Sequence, residues 1–158
     1  MSRTSRTRTH VARRAFAIGV AGALVVATGC SDFSAPDDPA FGLPDIAVAQ
    51  PTLSGDVQPI FSKRCSIGGC HSLASRRAGL VLTPDSAYVM LVNRVATERP
   101  DLRRVLPGSP ESSWLWIRVQ PDQSLRGSFP RMPLAAHPLT PNQIATIANW
   151  IARGAPQD

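Results

Sequence analysis

The sequence predicts an all-α domain of short helices joined by long loops. Apolar residues recur at helical spacing in several separate segments, period-two alternation is scarce, and the 15 prolines, all beyond residue 35, cut the chain into short pieces. Each helix has its own local signature. In "SGDVQPIFSKRC", Ser54 to Cys65, Val57, Ile60, Phe61 and Cys65 share one face. Asp56 is placed to cap this helix, and Pro59 falls in the first turn, where a missing N–H costs least. A short helix is expected in "PDSAYVMLV", Pro84 to Val92, with Met90 as an apolar filler. "SPESSWLWIRV" opens with Ser109 as cap, then Pro110 and Glu111, although its apolar run Trp114 to Ile117 would also suit a buried strand. The last helix is the clearest. In "TPNQIATIANWIARGA", Thr140 and Gln143 form a capping box, Pro141 takes the first helical position and Gly154 can close the end. Ile144, Ile147, Ala148 and Ile151 supply its apolar face.

The amino terminus belongs to a different class. Residues 1–14 carry five arginines and no acid, and "AFAIGVAGALVVATG", Ala15 to Gly29, has no charge at all, which is the pattern of a secretory signal peptide. At ~1.5 Å per residue that apolar stretch is short for a mature membrane span. The pair Arg13 and Arg14 is read as part of a basic leader rather than a twin-arginine signal. Without residues 1–29 the chain holds 12 basic against 11 acidic side chains, so its formal charge falls from +6 to +1. The basic character therefore lies in the leader, and no nucleic-acid partner is implied.

The junction "ATGC" runs small residues into Cys30 and resembles a bacterial lipobox, although Ala27 stands where leucine is commoner. It implies lipid attachment at Cys30, a membrane anchor, and, with Ser31 following, sorting to the outer membrane. Three regions follow from this: a lipoprotein signal peptide over 1–29, a flexible lipid-anchored linker over 30–51 rich in Pro, Asp and small residues, and a compact domain over 52–158.

With Cys30 acylated, Cys65 and Cys70 are the remaining thiols of an exported protein. They lie in "RCSIGGCHS", Arg64 to Ser72, with His71 directly after the second cysteine. Two thiols followed at once by an imidazole match the attachment of a c-type haem, where cysteines form thioethers and the histidine ligates iron. The usual spacing is C-x-x-C-H, whereas here four residues separate the cysteines. Gly68 and Gly69 are expected to absorb the two extra residues by bulging the backbone at positive φ. Three other arrangements remain open on the residues alone: a Cys65–Cys70 disulfide, a zinc site drawing in His137, or a nucleophilic cysteine with His137 as base.

The order of "VQPIFSKRCSIGGCH", "AGLVL", "VLPGSPESSWL", "RMPL" and "LTPNQIATIANWIARGAP" resembles single-haem cytochrome c domains of exported bacterial proteins, planctomycete-type ones among them. The resemblance spans about Val57 to Pro156. It implies a cytochrome c-like fold in which the first and last helices cross beside a covalently bound haem c, one per chain, with Phe61 and Trp150 near the crossing. It also implies that Met132 of "RMPL" is the sixth ligand opposite His71, with His137 as the other candidate. The expected role is single-electron transfer between unidentified redox proteins in the periplasm or at the outer membrane, without bond formation to a substrate. Two other classes stay open: an open sixth position that binds small molecules or peroxide, and a haem-free, disulfide-stapled surface lipoprotein. Arg76 and Arg77 are candidates for a basic docking rim.

Overall fold

The computed structural model describes residues 42, 43, 45–134 and 137–158. The signal peptide, the lipobox and Cys30 lie outside the described residues. Among these residues the architecture is helical: α1 (Gln58–Arg64), α2 (Ala87–Leu91), α3 (Trp114–Val119), α4 (Gln123–Arg126) and α5 (Pro141–Ala152). No strand is present among them, only three isolated bridges that tie 92–105 and 103–113 together.

α1 is preceded without a break by a π turn, Leu53–Val57. The cap lies earlier than the sequence suggests, because Thr52 Oγ1 accepts from the Gly55 N–H while the Asp56 carboxylate accepts from the Thr52 N–H at 2.8 Å. Asp56 is thus the return half of a reciprocal cap instead of the cap itself. Pro59 sits at the start of the α-helical part, after the wide turn, where its missing N–H removes no interior α-bond. Val57, Ile60 and Phe61 are buried as their spacing requires.

α5 follows its sequence signature at both ends. Thr140 Oγ1 accepts from the Gln143 N–H at 3.1 Å, and the Gln143 side chain accepts in return from the Thr140 N–H at 3.2 Å. At the other end the Gly154 N–H bonds to the Ile151 carbonyl and the Ala155 N–H to the Trp150 carbonyl, a Schellman closure made at Gly154 with φ +96°. Ile144, Ile147, Trp150 and Ile151 are buried, whereas Ala148 is only half-buried. Thr140 also donates to Asp45 at 2.6 Å. Thr140→Ala is therefore expected to cost about 1–2 kcal/mol, seen as a lower urea midpoint with an unchanged slope.

α3 is a helix and not a strand, but it begins later than Ser109 would set it. Pro110–Ser112 form a separate 3-10 turn, and Ser109 makes no side-chain cap bond. Ser113, fully buried, donates its hydroxyl to the Ser109 carbonyl and accepts from the Leu106 N–H, which fixes the approach to Trp114. α2 appears where expected, though Met90 on it is half-buried and belongs to neither hydrophobic cluster.

The main core joins α1, α2, Val105, Val119 and α5 around Phe61 and Trp150, both fully buried. Each such ring removes ~150–250 Å² from water, so a domain with few aromatics leans heavily on these two. A smaller cluster holds Trp114, Ile117 and Ala96, with Phe129 edge-on to Trp114 at 5.2 Å.

The stretch just before Thr52 differs from the expected free tether. The Val48 N–H donates to Thr146 Oγ1 at 3.0 Å, Asn149 donates to the Val48 carbonyl and Asn142 to the Asp45 carbonyl, while Pro51 and Leu43 are buried. Residues 45–51 are laid along α5, so packed chain begins upstream of Thr52. The polar side of α5 supplies the hydrogen-bonding groups that this backbone would otherwise find in water.

Candidate cofactor site

α1 ends at the cysteine motif. The Cys65 N–H makes the last helical bond, to the Phe61 carbonyl, and Ser66 N–H shares that acceptor. The chain then doubles back: the Cys65 carbonyl accepts from the His71 N–H at 3.0 Å, closing the loop that contains the two extra residues. Within it the Cys70 N–H bonds to the Ile67 carbonyl. Gly69 has φ +81° as the sequence requires, but Gly68 does not take positive φ, so one glycine and not two carries the reversal.

The following turn braces this loop. The Arg77 N–H bonds to the Cys70 carbonyl at 3.2 Å, the Arg77 Nε–H to the Gly69 carbonyl at 3.1 Å, and the Gly69 N–H to Ser75 Oγ at 2.9 Å. Arg76 uses its Nε–H on the Leu73 carbonyl. Both arginines remain exposed, but their first commitment is to this turn. The His71 carbonyl accepts from the Leu82 N–H, which anchors the motif to the buried segment Val81–Leu82.

His71 Nδ1 lies 3.1 Å from the Arg77 carbonyl. A carbonyl only accepts, so the proton of the neutral ring belongs on Nδ1 and the Nε2 lone pair is left for a ligand. Burial, the main cause, holds the His71 pKa below the ordinary value and so favours that neutral ring. Burial also pushes the Cys65 thiol up to about 12. A thiol so disfavoured as thiolate is a poor nucleophile, which argues against Cys65 in that role. Cys65 and Cys70 are both free thiols here.

A cavity of about 570 Å³ opens beside this motif, within the ~300–1,000 Å³ usual for ligand sites. Cys65, Cys70 and His71 line it, with Leu80, Leu82 and Leu91 among its apolar walls. α3 contributes Trp114, Leu115, Arg118 and Val119. Met132 lines it as well, from the loop between α4 and α5. That loop is pinned to the end of α3, since the Met132 N–H donates to the Arg118 carbonyl at 2.8 Å and the Arg131 Nε–H to the Val119 carbonyl at 2.9 Å. The sulfur ligand candidate is thus brought to the motif over more than sixty residues of sequence by backbone bonds to α3.

His137 is elsewhere. It is exposed, is not among the lining residues, and its carbonyl accepts from Arg64. Among the described residues no group of three or more His, Cys, Asp or Glu side chains is placed to hold a metal ion. Met90 does not line the cavity.

The cavity is roomy and mostly apolar, and its walls bring together two thiols, one oriented imidazole and one thioether. These are the soft and borderline donors that suit iron held in a macrocycle, not the hard oxygens of a Mg²⁺ or Ca²⁺ site. Sequence reasoning missed Arg118, Glu98 and Arg104 on the same walls. The legible signal was a lone arginine inside "WLWIRV", four residues after Trp114 and hence on its face. No protein-family model, curated protein or solved structure matches the chain.

Proposed function

We propose that this chain is a single-haem c-type cytochrome that carries electrons one at a time between redox partners. The observation that carries this reading is the convergence of Cys65, Cys70, His71 and Met132 on one cavity of cofactor size. In it, Cys65 and Cys70 would hold the haem by thioether bonds, and His71 and Met132 would ligate its iron. The bound group supplies reversible one-electron iron chemistry. The chain's own residues set the conditions for it. The Arg77 carbonyl orients His71, α3 positions Met132, and the leucines exclude water from most of the pocket, while Gly69, Arg77, Ala78 and Leu134 at its margin are exposed and leave an edge that a partner can approach.

The leader and the "ATGC" junction support export and anchoring through acylated Cys30, on the periplasmic or cell-surface side of the outer membrane. One acyl chain alone gives marginal membrane binding, so stable anchoring needs the multiply acylated terminus of bacterial lipoproteins. The partners are other redox proteins and the membrane, with no nucleic acid. Full-length protein produced in a host with haem c maturation should show the c-type band of covalent haem in alkaline pyridine. A folded protein that shows no such band overturns the cytochrome reading.

A further inference from the structure

We propose that Arg118 is the anchor for a carboxylate of the haem in this cavity, an inference that rests on the haem reading above. Arg118 lies on α3 and lines the cavity, yet it is only 6% exposed. Its guanidinium packs beside the edge-to-face pair of Trp114 and Phe129, 5.4 Å and 5.6 Å from their ring centres, which are themselves 5.2 Å apart, and these contacts restrict it before any ligand arrives. Its Nη1 is buried without a hydrogen-bond partner. The acid near it is Glu98, whose Oε2 is 3.6 Å away, too far for a hydrogen bond, and already accepts from Trp114 Nε1 at 3.1 Å.

The other guanidinium groups on these walls are engaged. Arg104 donates to the Met90 carbonyl and to Thr97 Oγ1, Arg77 to the Gly69 carbonyl, and Arg64 to the carbonyls of His137 and Pro138. Four arginines and one carboxylate, that of Glu98, therefore face the cavity. Arg118 is thus ion-paired with Glu98 but not hydrogen-bonded to it, and a buried donor left unsatisfied on a wall of net positive charge is costly, which favours an anion in the cavity. Haem carries two carboxylates at one edge of an otherwise apolar ring. A carboxylate accepting from the Arg118 guanidinium offsets the excess charge and fixes which edge of the macrocycle lies against α3.

The test uses holoprotein whose haem is isotope-labelled in its carboxylates, compared as wild type, Arg118→Gln, Arg118→Lys and Glu98→Gln. Infrared spectra read the labelled carboxylate band directly, and the reduction potential is measured on the same samples. The band should shift in Arg118→Gln, shift less in Arg118→Lys and stay in place in Glu98→Gln. The potential should fall in Arg118→Gln, because a cation at the edge of the haem is lost and a carboxylate is left uncompensated, and Arg118→Lys should recover part of that fall. Should Arg118→Gln fail to accumulate, Arg118→Lys against wild type carries the same comparison. Covalent haem with an unshifted labelled band in the Arg118 variants overturns this inference alone, showing Arg118 to be a packing and Glu98-pairing residue. Wild-type protein without covalent haem overturns the cytochrome reading together with it.

Discussion

Cys65→Ser and Cys70→Ser are each expected to reduce covalent haem to a small fraction of the wild-type yield, and the double variant to abolish it. The expectation rests on geometry at both ends of the motif. Cys65 is held by the last turn of α1, Cys70 by its bond to Ile67 and by Arg77, and the Cys65 carbonyl to His71 bond keeps the two ends together. Losing either thiol leaves one attachment on a scaffold arranged for two. The consequence for folding follows from the lining of the site. The cavity of about 570 Å³ is open at its margin, so without the haem its apolar lining faces water. Apoprotein lacks the burial that bound haem would supply, and it should lose near-ultraviolet circular dichroism and unfold at lower denaturant than holoprotein. Covalent haem is read by the pyridine spectrum and folding by the dichroism. A haem-free wild-type domain that folds well and carries a Cys65–Cys70 disulfide would overturn the expectation and establish the stapled lipoprotein instead.

Met132→Ala should abolish the weak charge-transfer band at the red end of the ferric spectrum, lower the reduction potential and admit external ligands such as carbon monoxide. A thioether is soft and neutral and favours the reduced metal, so its removal stabilises the oxidised form. Two controls separate ligation from packing. Met90→Ala should change none of these readouts, because Met90 sits on α2 away from the cavity, and His137→Ala should leave the spectrum unchanged, because His137 is exposed and outside the lining. Met132 is half-buried, so the stability cost of its truncation should fall below the ~2–5 kcal/mol of a fully buried Met→Ala change. Stability alone would then not account for a lost band. Wild-type protein with a two-histidine spectrum, or with high-spin iron that binds carbon monoxide without displacing a ligand, would reject Met132 and favour the bis-histidine or open-site alternative.

What the sequence determined by itself is what depends on neighbours within about one helical turn. The capping box of Thr140 and Gln143, Pro141 at the first position and the closure at Gly154 are all interactions over three to five residues, and α5 follows them closely. The grouping of Cys65, Cys70 and His71 is likewise local, and so was the need for a glycine at positive φ, though local reasoning could not say that Gly69 alone would meet it. Where two local solutions compete, the sequence was ambiguous. Asp56 reads as the cap of the first helix, whereas Thr52 caps the π turn before α1 and Asp56 bonds back to the Thr52 N–H. The run Trp114 to Ile117 suits helix or strand until buried Ser113 and the bridge to Arg103 fix the chain direction.

Tertiary structure alone decided the rest. Met132 reaches the cysteine motif because its backbone bonds to the end of α3, and Arg118 becomes a buried cavity wall because Trp114 and Phe129 close over it. The stretch 45–51, aperiodic and proline-flanked, reads as a tether until Asn142, Thr146 and Asn149 of α5 supply its hydrogen bonds from about a hundred residues away. Such contacts leave no period and no fixed spacing in the chain. They exist only once the apolar faces of α1 and α5 have collapsed, because it is that burial which compensates the entropy of bringing distant segments together.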